Sequence, residues 1–434
     1  MSPAVAGGIG IFVFLVLMML KMPIALSMAI VGFVGFSYVN SLTAAFRILP
    51  SEFYTTFANY SLSVIPMFVL MGFFAFYAGL GEKLYHFSYK AVGHLSGGLA
   101  MSSEVACAIF GAVCGSSTAT TATIGSIAIP EMKKYKYKDS LATASIAAGG
   151  AVGILIPPST IFVIYGVAAE QSIGRLFLAG IFPGILLTSL YMLTIWILTK
   201  RNPSLGPPSE SRASLKEILN ALRGGLIEVI IVFIISIGGL FAGWFTPTEA
   251  GGVGAAGVLA VTLASRKMSW RGFNQALADT TRTSAMILFL VGGAIIFTRF
   301  MAVSRIPFVL ASFIGDLALP AVVVLIIILL VYLVLGTFIE MIPLILLTIP
   351  IFFPVVVDVL GYDPIWFGVI IVMVVAMGVI TPPVGINVYV IKGVAKDIPL
   401  EVIFSGVLPF LVAAAVSIAL LIIFPQIALF LPSL

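Results

Sequence analysis

Six hydroxyl side chains fall within the nine residues Gly115-Ser116-Ser117-Thr118-Ala119-Thr120-Thr121-Ala122-Thr123, inside a stretch that is otherwise apolar. Hydroxyls and unpaired carbonyls are hard oxygen donors suited to a small cation. A helix that starts at such a cluster turns its positive amino-terminal end toward it, which favours an anion. One site can therefore hold a carboxylate and a sodium ion side by side. A lone Ser or Thr more often bonds back to its own helix, but a cluster beside a helix break favours the ligand reading.

Such breaks occur twice. Gly153-Ile154-Leu155-Ile156-Pro157-Pro158-Ser159 and Gly378-Val379-Ile380-Thr381-Pro382-Pro383-Val384 each set a proline pair in the middle of a long apolar run. Proline has no N–H and its ring clashes with the preceding turn, so the helix must stop. In a bilayer the freed carbonyls are tolerated only where protein, water or an ion satisfies them. Thr381 and Asn387 flank the second break. A second polar interruption, Gly336-Thr337-Phe338-Ile339-Glu340-Met341, carries an acid. An intramembrane carboxylate is costly and functional by default, although Glu340 could instead cap the helix that follows. Arg299, within an apolar run, could meet a substrate carboxylate or snorkel to an interface.

The elements that position these residues belong to a membrane. Of 434 residues 61% are apolar and 9% charged, against roughly 25% charged in soluble domains, and the mean hydropathy is +1.21. Apolar runs near 4–20, 23–42, 63–80, 140–170, 175–199, 226–245, 248–265, 283–303, 364–395 and 400–430 predict spans. Residues 102–131 and 321–357 divide at their polar interruptions into arms of about 13–16 residues, about 20–24 Å long and short of a core about 30 Å thick. They predict re-entrant hairpins, with two ordinary spans as the alternative. Segments 43–62 and 269–282 are mixed and predict interfacial arms. Segment 201–223 predicts a Pro-rich linker followed by an amphipathic helix from Leu215 to Arg223. Thr246-Pro247-Thr248-Glu249 has the order of a capping box with proline in the first turn. Glu104 is expected at the cytoplasmic start of the first hairpin. The absence of a basic region before Lys21 predicts a retained first helix and not a cleaved signal.

Charge and spacing give the topology. The 22 Lys and Arg lie mostly in connecting segments, where they orient the chain; they are no nucleic-acid footprint. If the first hairpin enters from the cytoplasm, Lys133, Lys134, Lys136, Lys138, Lys200, Arg201, Lys392 and Lys396 fall inside and the second hairpin must enter from the other face. Arg47 and Arg305 are exceptions. Landmarks recur in order: Pro157 and Pro382 are 225 positions apart, Gly180 and Gly406 226, Pro183 and Pro409 226, Gly115 and Gly336 221, Gly72 and Gly292 220, Pro23 and Pro247 224. An ordered set of this kind predicts two inverted repeats, the plan of many secondary transporters. No phosphate-cradling loop, metal-ligand spacing or acid–base pair is present, so no catalytic residues and no cofactor are expected, and an ion gradient must supply the energy. The predicted class is an all-α polytopic membrane protein of inverted repeats, with two re-entrant hairpins and two broken helices.

The segments Gly115-Ser116-Ser117-Thr118-Ala119-Thr120, Ala128-Ile129-Pro130-Glu131-Met132, Gly153 to Ser159, Glu170-Gln171-Ser172-Ile173, Thr246-Pro247-Thr248-Glu249-Ala250 and Thr381-Pro382-Pro383-Val384-Gly385 resemble the large membrane subunit of tripartite ATP-independent periplasmic (TRAP) transporters, the DctM type. The resemblance implies an elevator mechanism in the bacterial inner membrane. Sodium is the coupling ion and the cargo an organic acid. The implied partners are a periplasmic substrate-binding protein and a separate small four-helix membrane subunit. It implies scaffold at 1–62 and 226–282, transport halves at 63–199 and 283–434, and a linker with amphipathic helix at 200–225. The hairpins are then 102–131 and 321–357, and the broken helices 140–170 and 364–395. One sodium maps to Ser116 and Thr120 with carbonyls near Gly153, Ile156 and Pro158, the other to Gly336, Gly378, Thr381 and Val384. Ser117, Thr118, Thr121, Thr337, Asn387 and Arg299 remain the candidates for substrate. A standalone divalent-anion/sodium symporter, needing no partner protein, is the rival expectation.

Overall fold

The computed structural model describes residues 2–208, 213–222, 226–316 and 319–434 (for Asp316, the backbone only), and among the described residues all regular structure is helical. The first repeat runs α1 (Pro3–Met19), α2 (Ile24–Val39), α3 (Leu42–Phe57), α4 (Val64–Tyr77), α5 (Leu80–Val92), α6 (Gly98–Cys114), α7 (Ser117–Lys134), α8 (Asp139–Val152), α9 (Thr160–Ala168) and α10 (Ile173–Arg201). A short α11 (Leu215–Ala221) follows. The second repeat runs α12 (Leu226–Phe241), α13 (Pro247–Ala264), α14 (Trp270–Ser304), α15 (Ile306–Asp316), α16 (Ala321–Gly336), α17 (Met341–Phe353), α18 (Pro364–Gly378), α19 (Ile386–Val394), α20 (Leu400–Ile423) and α21 (Gln426–Leu429). Serine and threonine set many starts: Ser41, Ser116, Ser159, Ser172, Thr246 and Ser269 each accept an N–H from the first turn they precede. The capping box at Thr246 and Glu249 is formed, and Ser214 and Glu217 make a second one that starts α11. Ser209 to Arg212 of the predicted linker, and Arg223, lie outside the described residues.

The repeats correspond helix for helix, α2 with α13, α5 with α15 and α6 to α10 with α16 to α20. They also exchange partners. α2 of the first repeat packs on α14 of the second, and α13 of the second packs on α4 of the first. The approach is close because glycine faces backbone: a Cβ on Gly32 would lie 2.7 Å from the Phe297 nitrogen, and one on Gly293 2.4 Å from the Ala25 oxygen. In the same crosswise manner α7 packs on α19 and α17 on α9. At the end carrying Lys133, the α7 terminus is tied to Asp397 in the loop before α20 by an ion pair.

Two expectations need correction. Residues 269–282 are no separate arm, because α14 is one helix of 35 residues; a scaffold boundary at 282/283 would fall inside it. α4 packs on α13 and α14 and also on α6 of its own repeat. The first repeat has the corresponding region broken by the 3-10 turn Tyr60–Ser63, started by the Asn59 side chain. Three hairpin arms are longer than expected, 17 and 18 residues in α6 and α7 and 19 in the returning stretch Met341–Val359, whereas α16 has the expected 16. Pro354 does not end that stretch; a π-helical turn from Pro354 to Val359 carries it on. Among the described residues five helices are long and apolar enough to cross a bilayer, Met341–Val359 included. Arm length therefore does not separate hairpin from span.

Candidate functional site

Each hairpin meets the broken helix of its own repeat through a pair of glycines. A Cβ on Gly111 would sit 2.2 Å from the Gly153 Cα, and one on Gly378 would sit 2.9 Å from the Gly336 carbonyl carbon. These contacts are repeat mates, since Gly111 and Gly336 are 225 positions apart, as are Gly153 and Gly378. The mate of Gly336 is therefore Gly111, not Gly115 as the landmark spacing suggested. The first arm runs about one turn past the contact, which places Gly115 and the hydroxyl cluster beyond it. Both Pro157–Pro158 and Pro382–Pro383 peptide bonds are cis.

Around the first tip the expected residues come together. Gly115 takes a left-handed conformation, φ 61°, at the end of α6, which glycine adopts without a Cβ penalty. Its carbonyl accepts from Thr160 Oγ1 at 3.0 Å, and a Cβ on Gly115 would lie 3.3 Å from the Pro158 oxygen. Ser116 Oγ accepts from Ala119 N at 3.3 Å and lies 3.3 Å from Thr118 Oγ1. Thr120 Oγ1 donates to the Ser116 carbonyl at 2.8 Å. Around the second tip Thr381 Oγ1 donates to Met377 O at 2.7 Å and Thr337 Oγ1 to Val334 O at 2.8 Å. The hydroxyl protons of Thr120, Thr381 and Thr337 are thus committed within the chain. Oxygen lone pairs remain, which is what a cation uses. Val384 is half-buried beside the second break.

Asn387 connects the repeats. Its Nδ2 donates to Ser117 Oγ at 2.8 Å and to the Ala147 carbonyl at 2.9 Å, and it is fully buried. Two other candidate side chains, Thr121 and Arg299, are placed elsewhere. Thr121 is buried with its hydroxyl unpartnered; a Cβ on Gly150 would lie 1.9 Å from that oxygen, so the side chain fills the α7–α8 contact. The Ile156 side chain packs toward α10, 2.6 Å from where a Cβ on Gly184 would be. Arg299 is exposed on α14 and pairs with Glu52 of α3 through Nε at 2.9 Å. It does not line the cavity described next.

Both tips and both breaks open on one cavity of about 600 Å³. Ser116, Ser117 and Thr118 come from the first tip, Glu340 and Met341 from the second, Ile154 and Thr160 from the first break, Val379 and Asn387 from the second. The facing wall was not foreseen from sequence: Phe73 and Phe76 of α4, and Thr283 and Met286 of α14. Glu340 occupies the cap position of α17, but its side chain makes no capping hydrogen bond and is exposed. The capping alternative therefore has no bond behind it. Glu104 also departs from expectation. It is no surface marker but is wholly buried, neither carboxyl oxygen has a hydrogen-bond partner, and Oε2 lies 2.7 Å from where a Cβ on Gly149 would stand. Its burial depends on the α6–α8 packing, which no local signal in the sequence encodes.

Comparison with known proteins gives this site a context. Residues 11–427 match the family described as "Tripartite ATP-independent periplasmic transporter, DctM component". The chain is 36% identical over 388 residues to the C4-dicarboxylate TRAP transporter large permease protein of Pseudomonas aeruginosa, covering 89% of this chain and 90% of that one. It is 36% identical over 412 residues to the sialic acid TRAP transporter large permease protein of Vibrio cholerae, covering 92% and 95%. Among solved structures, the YdaH transporter of Alcanivorax borkumensis, described as having an unusual topology, is similar with a TM-score of 0.62 at 15% identity over 90% of each chain. At that identity the likeness is one of fold alone.

Proposed function

Because the chain belongs to the DctM-component family of tripartite ATP-independent periplasmic transporters, we propose that it is the large, multi-pass membrane subunit of such a system and carries an organic acid into the cell by sodium coupling. In this reading a periplasmic binding protein delivers the acid, a small membrane subunit pads the scaffold, and the assembly sits in the bacterial inner membrane. The observation that carries it is the single cavity onto which both hairpin tips and both helix breaks open. Only side chains and helix ends from both repeats complete it, as expected of a mid-membrane site between repeats. The two relatives, equally similar at 36%, are named for a C4-dicarboxylate and for sialic acid. Shared carboxylate chemistry supports an organic acid as cargo.

Sodium is the coupling ion in this proposal because the tips offer hydroxyl and carbonyl oxygens and no amine. Ser116 and Thr120 with the Pro158 carbonyl hold one ion, and Thr381 with carbonyls near Gly336 and Gly378 holds the other. The α7 amino terminus, through Ser117 and Thr118, takes the carboxylate. α6 with α7 and α16 with α17 then act as re-entrant hairpins, and they move with the broken helices as an elevator. The wall of α4 and α14, bound to α13 and α2 by the exchanged packing, stays as the scaffold. Proteoliposome uptake reconstituted with a periplasmic binding protein and a small membrane subunit from the same organism tests the reading. Uptake should require all three proteins and an inward sodium gradient. Sodium-independent uptake would refute the coupling. Vigorous sodium-driven uptake by this chain alone would support a standalone symporter instead.

A further inference from the structure

The cavity is built from symmetry-related positions whose side chains differ in kind. Ser117 and Asn387 form a polar, hydrogen-bonded pair across the repeats at 2.8 Å. The positions 225 or 226 residues away, Ile342 and Ile161, line the same cavity and are both apolar. The helix starts differ in the same sense. α7 begins after Gly115 and Ser116, with no charge over its amino-terminal N–H groups. α17 begins after Glu340, 225 positions from Gly115, and that carboxylate is unbonded and exposed to the cavity. Glu340 is the one charged side chain among the described residues lining the cavity; no Lys, Arg or His lines it. One end therefore attracts negative charge and the other repels it.

Resting on the carboxylate reading above, we propose that the cargo is a zwitterion. One carboxylate lies at the α7 end, a short apolar body lies against Ile161 and Ile342, and an ammonium or similar cationic group faces Glu340. A second carboxylate on the cargo would stand against Glu340 with no Lys, Arg or His lining the cavity to offset it, and like charges held together in a site are disfavoured. Glu340 is thus assigned as the residue that decides between a zwitterion and a dianion.

Succinate, 4-aminobutyrate and butyrate share a four-carbon chain and differ in whether its far end carries a carboxylate, an ammonium or neither. Their binding is to be measured by thermal stabilisation of the full chain in lipid nanodiscs, at fixed and at varied sodium. The expected order is 4-aminobutyrate over butyrate over succinate, with about tenfold or more between the first and last. In Glu340→Gln that ratio should fall about tenfold, by weaker 4-aminobutyrate and tighter succinate binding, while butyrate is unchanged. Succinate as the tightest ligand of the parent chain would overturn the proposal. So would a Glu340→Gln chain that binds all three more weakly at an unchanged ratio with a raised sodium requirement, because Glu340 would then serve a sodium ion and not the cargo. Failure of all three to stabilise the parent chain would remove the carboxylate reading itself, and this inference with it.

Discussion

The contact between the second tip and the second break can be tested from its two sides, because a methyl group added to one glycine differs from one added to the other. A Cβ on Gly378 would lie 2.9 Å from the Gly336 carbonyl carbon and 3.0 Å from its Cα and oxygen. These are backbone atoms with no rotamer to escape into, so Gly378→Ala must push helix and tip apart. Overpacking of this kind costs about 1–3 kcal/mol. A Cβ on Gly336 would meet Leu344 Cδ2 at 3.5 Å and Gly378 Cα at 3.6 Å, ordinary contacts, so Gly336→Ala should be nearly neutral. If carbonyls on both sides of this contact hold a sodium ion, their separation in Gly378→Ala weakens the ion by up to the same energy, a factor of roughly 5–150. The assay is the sodium dependence of thermal stabilisation in nanodiscs, with Gly393→Ala as control, since a Cβ there meets nothing within 4 Å. Gly378→Ala should raise the half-saturating sodium concentration and Gly336→Ala should leave it unchanged. Equal behaviour of the two variants would refute the reasoning, whatever their absolute stability.

Three further outcomes are expected. Ser116→Ala and Thr381→Ala should each shift the sodium activation curve of uptake without unfolding the protein, although Ser116→Ala also removes a helix cap worth about 1 kcal/mol; unchanged curves in both would reject these residues as ligands. Arg299→Ala should leave the substrate concentration for half-maximal uptake unchanged, because Arg299 pairs with Glu52 and does not line the cavity; a large rise would return Arg299 to the substrate. The Lys133 ammonium holds the Asp397 carboxyl below the usual aspartate range, so the tie between α7 and the loop before α20 is fully present above the ordinary aspartate value and is lost as pH falls through the lowered one. Asp397→Asn should therefore differ from the parent in melting temperature at neutral pH, and the gap should close only in acid below about pH 4; a gap that closed between pH 8 and 6 would exclude this pair as its cause.

Local chemistry made part of this legible. The proline pairs had to break their helices, the Ser and Thr run begins at the cap of α7, and the capping box at Thr246 formed as its spacing required. What the sequence withheld depends on distant partners. Arg271 and Arg282 made 269–282 look interfacial, yet no proline stands between Trp270 and Ser304, and α14 continues through them. Arg299 finds its partner 247 positions away. Glu104 is buried because α8 brings Gly149 against it, a packing event with no local pattern. The tip alignment failed for a simpler reason. Gly111 and Gly115 are one helical turn apart, and only the contact with Gly153 tells which of them matches Gly336.

The exchanged packing of α2 on α14 and of α4 on α13 bears on how the chain is made. Each half holds many contacts of its own, but α2 and α4 each meet their most extensive partner in the other half. α4 waits for residues 247–264 and α2 for residues 270–304, across the polar connection after Arg201. Until α13 and α14 have been made, the faces of α4 and α2 that they cover in the finished fold lack those partners, so these contacts form only late in synthesis.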